Sequence, residues 1–194
     1  YSSEIVGALD KEVVVMNSLT VNLHLLMVSF YRPKGKRKKI LIEKNTFPSD
    51  RYAVQSQLKF HGNDPINDLI VLEPDNGEFI SMKTIINCLD TQGEEIALVL
   101  LGGVNYYTGQ AFDMAAITDK AQNCGCRVGF DLAHATGNIK LNLHDWGADF
   151  AAWCGYKYLN GGPGAPSGVF IHERHLGRTD FPRFEGWWGH DKST

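Results

Sequence analysis

Two apolar runs, Glu95-Ile96-Ala97-Leu98-Val99-Leu100-Leu101 and Arg127-Val128-Gly129-Phe130-Asp131, flank a segment of helical spacing at residues 111–124. Short, continuous apolar runs are typical of strands buried on both faces, and Gly125 is a favourable residue at the end of a helix. A strand, a helix and a second strand in this order form a βαβ unit with parallel strands. The sequence therefore predicts an α/β fold.

The same alternation continues on both sides of this unit. Strands are predicted at residues 13–16, 39–43, 68–72, 149–153 and 169–172, and the last two could be antiparallel neighbours. Helices are predicted at residues 17–31, 49–60, 81–89 and 141–146, the first with N-cap chemistry from Asn17 and Ser18. We find no internal repeat and no linker. We expect one α/β domain over residues 1–194, with a mostly parallel seven-stranded sheet flanked by helices.

Composition excludes several classes of protein. The chain has 194 residues, of which 43% are hydrophobic and 21% charged. This composition is typical of a globular protein with a buried core, and it excludes the fibrous and disordered classes. A formal net charge of −3 gives no drive toward nucleic acid or anionic membranes. No apolar run is long enough to span a bilayer, and residues 1–4 show no signal-peptide pattern. We expect a soluble, cytoplasmic protein without nucleic-acid or membrane partners, with reduced cysteines and no metal site.

A basic run at residues 32–39 holds six Lys and Arg residues. It could be a nuclear-localisation or polyanion patch. The interpretation we prefer is a solvated loop that leads into an edge strand, where lysines discourage aggregation.

Asp131 and Lys157 are the residues that best indicate chemistry. Each follows a predicted strand, and the carboxyl ends of parallel strands meet at the edge of the sheet where ligands bind. A carboxylate can hold a ring nitrogen protonated, and a lysine amine can form an imine with an aldehyde. Pyridoxal phosphate (PLP) requires both. Taken alone, Asp131 could be a cap or a metal ligand, and Lys157 an ordinary surface lysine.

Two further features suit a cofactor of this kind. The helix start at Ser18-Leu19-Thr20 offers backbone amides to a phosphate, although a plain N-cap is the interpretation that these residues alone favour. Phe47 lies in a strand-to-helix loop, where it could stack on a planar ring or be buried in the core.

Several strings, in this order along nearly the whole chain, closely resemble kynureninases. They are Met16-Asn17-Ser18-Leu19-Thr20-Val21-Asn22-Leu23-His24, Phe47-Pro48-Ser49-Asp50, Tyr107-Thr108-Gly109-Gln110, Asp131-Leu132-Ala133-His134-Ala135, Trp153-Cys154-Gly155-Tyr156-Lys157-Tyr158-Leu159-Asn160 and Gly186-Trp187-Trp188-Gly189-His190. The resemblance implies the PLP-dependent transferase large domain of fold type I. It also implies PLP-dependent hydrolysis of kynurenine or 3-hydroxykynurenine to alanine plus anthranilate or 3-hydroxyanthranilate, in tryptophan catabolism and NAD biosynthesis.

The resemblance also implies roles for individual residues. Lys157 would form the Schiff base, Asp131 would pair with the pyridinium nitrogen, and Tyr156 would bind the phosphate and act as an acid. The other implied cofactor-binding residues are Leu19, Thr20, Phe47, Pro48, Ser49, Asp50, His134 and Trp187.

The resemblance further implies a homodimer and an incomplete chain, since the family's N-terminal segment and small C-terminal domain have no counterpart here. Gly102 stands where the family commonly has Ser, so a hydroxyl contact is expected to be missing.

Three alternatives remain open at this stage. Gly161-Gly162-Pro163-Gly164 could indicate a nucleotide site, but this cluster precedes a strand and contains a proline. Asp131 and Lys157 would also serve a cysteine desulfurase or a class V aminotransferase. Finally, the chain could be a non-catalytic remnant that acts as a structural or interaction module.

Overall fold

The structure, a computed structural model, describes residues 1–75 and 77–184, and these contain a sheet of seven strands. The strands are β1 (Val13–Val15), β2 (Lys39–Glu43), β3 (Leu69–Leu72), β4 (Ile96–Gly102), β5 (Arg127–Asp131), β6 (Phe150–Trp153) and β7 (Gly168–Ile171). Their order is β1-β7-β6-β5-β4-β2-β3. Only β7 runs antiparallel to its neighbours, β1 and β6. The predicted mostly parallel seven-stranded sheet is confirmed, as is the antiparallel pairing of its last two strands.

Helices cover both faces of the sheet. They are α1 (Ser2–Val6), α2 (Leu19–Phe30), α3 (Pro48–Phe60), α4 (Met82–Gln92), α5 (Met114–Asn123) and α6 (Leu143–Trp146). Side chains of β4 alternate between two buried clusters: Leu98 and Leu100 pack with α2 and α3, whereas Val99 and Leu101 pack with α4 and α5. The strand is apolar throughout because both of its faces are buried.

Some boundaries differ from the predictions. α5 begins at Met114 rather than near residue 111, because Ala111 forms a bridge with Val104 and the Asp113 side chain caps the helix by accepting the N–H of Ala116. α1 was not predicted, and α4 continues to Gln92. The Ser18 side chain makes no capping hydrogen bond at α2.

The basic run does not lead into an edge strand, so that prediction was wrong. β2 pairs with β3 on one side and β4 on the other. Lys36, Lys38 and Lys39 pair with Glu94, Asp68 and Glu95, and Arg37 donates to three backbone carbonyls. These contacts satisfy most of the charge of the run within the fold.

The strand directions determine where a site can form. β1, β2, β4, β5 and β6 all point the same way, since β7 is antiparallel to both β1 and β6. Their carboxyl ends therefore share one edge of the sheet, which we call the carboxyl edge. The loop that holds Gly161 to Gly164 leads directly into β7, and a nucleotide fingerprint would instead open a helix. Within residues 1–75 and 77–184, no helix has the length and apolarity needed to cross a membrane.

Candidate functional site

Asp131 ends β5 at the centre of the carboxyl edge and is 8% exposed. Its Oδ1 accepts the backbone N–H of Ala133 at 2.7 Å. A hydrogen bond of this kind stabilises a charged carboxylate. Asp131 is therefore a buried anionic group that reaches a cavity at the end of the strand.

Lys157 lies beyond the end of β6 and meets His134 from the loop after β5. Its Nζ is 3.0 Å from His134 Nε2 and 5.4 Å from the centroid of the Phe47 ring. Burial and the charge of Lys157 lower the pKa of His134, so the imidazole is neutral near pH 7 and its Nε2 can accept a hydrogen bond from the lysine. Phe47 is 41% exposed and thus is not a core residue. The amine is held between an imidazole and an aromatic face.

The start of α2 reaches the same place. Ser18 is its N-cap, and Leu19 and Thr20 begin the helix, where backbone N–H groups have no partners within the helix. One cavity at the carboxyl edge, here called the lysine cavity, brings these elements together. It is lined by Ser18, Leu19, Thr20, Phe47, Ser49, Asp131, Ala133, His134, Tyr156 and Lys157. Eight of the residues implied by the family resemblance meet here.

Tyr156 is half exposed at the mouth of the lysine cavity. Partial burial and the neighbouring Cys154 raise the pKa of its hydroxyl, so it keeps its proton at neutral pH. Pro48 is exposed at the first turn of α3, where its missing N–H costs no hydrogen bond. Trp187 lies outside the described residues.

Asp50 lines a second, adjoining cavity, here called the carboxyl cavity. It lies in the first turn of α3, is 4% exposed, and accepts a long hydrogen bond of 3.4 Å from the hydroxyl of Ser49. Burial and the neighbouring charge of Asp131 raise the pKa of Asp50 strongly. Asp50 is therefore a neutral acid, and its hydroxyl can donate a hydrogen bond to the Asp131 carboxylate.

Glu43, which the sequence analysis missed, also lines the carboxyl cavity. It ends β2 at the carboxyl edge as Asp131 ends β5, and it is 2% exposed. Burial raises the pKa of Glu43 to about 7 despite the N–H of Gly102, which donates to Oε1 at 3.1 Å. An acidic residue directly after an apolar run was the signal available in the sequence.

A separate polar cluster joins Glu12, His144 and His172, whose donor atoms lie within 4.8 Å of one another. Glu12 Oε1 accepts the N–H of Glu173 at 2.7 Å and faces His144 Nδ1 at 3.0 Å. His172 Nδ1 accepts the N–H of Arg174 at 3.2 Å. Since these lone pairs already have partners, the cluster ties the turn just before β1, and α6, to the segment after β7.

Comparison with known proteins agrees with this geometry. The chain is 60% identical to kynureninases of Flavobacterium johnsoniae and Myxococcus xanthus over 98% and 100% of its length, and 55% identical to that of Nematostella vectensis over 99%. It spans only 45%, 46% and 42% of those proteins.

Solved structures share the fold. A cysteine desulfurase from Thermococcus onnurineus superposes with a TM-score of 0.73 at 19% identity, covering 89% of this chain and 41% of that one. A C-DES mutant with glycine covalently linked to its PLP cofactor gives 0.74 at 20%, covering 90% and 44%. The model of the aminotransferase class-V family matches residues 3–180. The chain belongs to the aminotransferase class-V family.

Proposed function

We propose that the protein to which this chain belongs is a kynureninase, a PLP-dependent hydrolase that cleaves the Cβ–Cγ bond of kynurenine or 3-hydroxykynurenine. The products are alanine and anthranilate or 3-hydroxyanthranilate. The observation that carries the proposal is the 60% identity to kynureninases over essentially the whole chain. The cysteine desulfurase similarity, at 19% identity, concerns the fold alone.

The residues of the lysine cavity suit PLP by their chemistry. An amine, a buried carboxylate, an exposed aromatic face and a helix start line one space. Lys157 would bind the aldehyde carbon, Asp131 the ring nitrogen, and the amides of Leu19 and Thr20 the phosphate. Phe47 would stack on the ring, and Tyr156 would donate to the phosphate. Pro48 and Ser49 would orient Phe47 and Asp50 at the start of α3. Trp187 is proposed as a further contact of the cofactor.

Five side chains account for the proton chemistry. When bound, PLP supplies a ring that accepts the electron pair left at the substrate carbon. Asp131 would keep a proton on the ring nitrogen, because its own charge is stabilised by the N–H of Ala133 and by a hydrogen bond from the neutral acid Asp50. The amine of Lys157 takes the Cα proton, and neutral His134 orients that amine through the 3.0 Å contact. Tyr156 holds a proton that it can deliver to the substrate.

The test is turnover by the full native polypeptide supplied with PLP. Kynurenine and 3-hydroxykynurenine are offered separately, and the aromatic acids are followed by fluorescence. Lys157→Arg is the matched control, because it keeps a cation beside His134 but cannot transfer the proton. We expect turnover that falls by at least ~10²-fold in the variant.

Other outcomes would point elsewhere. Formation of alanine from cysteine, with the sulfane sulfur released as sulfide by an added thiol reductant, would favour a desulfurase. PLP binding without turnover of any of these substrates would favour a non-catalytic module.

We further propose that the native protein is a cytoplasmic homodimer acting on small molecules. The support is the resemblance of the chain to kynureninases, a family of homodimers. Light scattering of the purified native protein would give its mass, and a monomer at micromolar concentration would contradict the dimer.

A further inference from the structure

Glu43 is the buried acid that the proposed chemistry leaves unused. Its Oε1 accepts one hydrogen bond, from the N–H of Gly102, whereas Oε2 has no hydrogen-bond partner among the described residues. A buried carboxylate with a free oxygen is costly when charged, and protonation removes the charge, which is the larger part of that cost. The geometry therefore favours the neutral acid.

The neighbours of Glu43 favour the same form. The carboxyl cavity is lined by Glu43, Asp50 and Asp131 together with few other polar groups. Three carboxylates in one buried space cannot all be ionised, because like charges at short distance repel. Asp131 accepts the short backbone hydrogen bond of 2.7 Å, whereas the one hydrogen bond that Asp50 accepts from the described residues is the 3.4 Å contact with Ser49. The negative charge is best placed on Asp131.

Gly102 provides an independent observation. A Cβ at this position would lie 3.0 Å from Glu43 Oε1, closer than nearly all real Cβ contacts. The absence of a side chain therefore lets the Glu43 carboxyl lie against the end of β4. Gly102, where the kynureninases commonly have Ser, therefore leaves room for the Glu43 carboxyl group.

We propose that Glu43 is a positioning residue of the ring-nitrogen site, a neutral carboxylic acid that leaves Asp131 as the single charged carboxylate of the carboxyl cavity. This inference rests on the proposed function, since the ring nitrogen belongs to PLP. One charge on Asp131 matches one proton on the ring, and an ionised Glu43 would add a second negative charge beside that pair. Glu43 acts through Asp131 and does not itself touch the cofactor.

Other titratable groups around the carboxyl cavity are Asp50 of α3, Asp131 at the end of β5, and Tyr106 and His134 of the surrounding loops. Lys157 adjoins them in the lysine cavity. Asp131 is the anion among them whose removal should make Glu43 easier to ionise.

Infrared spectroscopy of the full native polypeptide without PLP tests the protonation directly. At pH 6 we expect a carbonyl band of a protonated carboxylic acid that disappears in Glu43→Gln and persists in Glu4→Gln, an exposed control. Labelling with ¹³C-glutamate should move this band and leave that of Asp50 in place, which assigns it even if the variant folds poorly. Absence of a glutamic-acid band at pH 6 would overturn the proposal.

The coupling between Glu43 and Asp131 is tested by the pH midpoint at which the carbonyl band of Glu43 disappears. Asp131→Asn should lower this midpoint by on the order of one pH unit, because a neighbouring negative charge is gone. With PLP bound, the band should still be present at pH 6, since the charge of Asp131 and the proton of the ring form one pair and a charged Glu43 would add a second negative charge beside it. An unchanged midpoint in Asp131→Asn, or loss of the band at pH 6 with PLP demonstrably bound, would refute the role of Glu43 and leave the proposed function intact. Failure of PLP to bind the wild-type protein would instead count against the proposed function.

Discussion

Asp149, just before β6, supports the sheet that carries the site, and its replacement by Asn should destabilise the protein. The side chain is fully buried. It is bound by five groups, those of Gln122, Arg127, Val128, Arg174 and His175. Burial alone would raise the pKa of Asp149, but the hydrogen bonds from His175 and Arg174 outweigh it and lower the pKa to about 2. The carboxylate is therefore stabilised as an anion in the folded state.

The magnitude follows from that pKa. The difference between the usual value of 3.8 and about 2 corresponds to roughly 2.4 kcal/mol of unfolding free energy. Losing a buried partner can cost about 3–5 kcal/mol. Here Arg127 and Arg174 are 37% and 35% exposed and can turn to water. We expect Asp149→Asn to cost roughly 2–3 kcal/mol at pH 7.

Urea unfolding of the full native protein, followed by tryptophan fluorescence, measures this cost. Because the folded-state pKa is lowered, the contribution of Asp149 is complete above pH 4 and is lost as the pH falls toward 2. The variant should lack that part of the pH dependence. Asp180→Asn is the matched control, since Asp180 forms an exposed pair with Arg178 and its replacement should change the stability far less than that of Asp149. A cost below 1 kcal/mol in Asp149→Asn, or an unchanged acid slope, would refute the reasoning.

Two further substitutions give defined outcomes. Gly129→Ala would place a Cβ 2.1 Å from the Phe150 ring, so we expect the free energy of unfolding in urea to fall by roughly 1–3 kcal/mol. Phe150→Leu in the same chain should restore part of this loss. Full stability of the single variant would contradict the close packing. Tyr156→Phe removes a hydroxyl proposed to bind the phosphate and should weaken PLP binding about ten-fold by spectrophotometric titration, since hydrogen bonds to charged groups contribute roughly 1.5–3 kcal/mol. Unchanged affinity would remove Tyr156 from the phosphate site, and unchanged single-turnover protonation rates would remove it as an acid.

Much of the fold could be predicted because each strand is a short apolar run and most helices have clear starts or ends. The order of strands could not, since pairing depends on contacts far apart in the chain. Lys39 illustrates this: a lysine suggests an edge, yet the run that follows it, Ile40 to Ile42, is buried on both faces and lies inside the sheet. The start of α5 was misplaced because Ala111 pairs with Val104, a contact that helical spacing does not reveal.

The site was predicted in two ways. Strand-end logic from the residues selected Asp131 and Lys157, and the family resemblance supplied residues that periodicity alone does not identify, such as Ser49 and His134. Glu43 was missed because an acidic residue after an apolar run is also typical of the start of an exposed loop, and the sequence does not reveal that Glu43 is buried. Its burial and its place beside Asp131 in the carboxyl cavity are seen in the structure alone.

Attachment of PLP to Lys157 is the central claim. The full native protein is incubated with PLP, reduced with borohydride, digested and mapped by mass spectrometry, with Lys157→Arg treated in parallel. We expect a pyridoxyl group on the peptide that contains Lys157, at about one per chain, and no such group on the corresponding peptide of Lys157→Arg. A folded protein that carries no adduct, or carries it equally on surface lysines such as Lys59 and Lys140, would contradict the account.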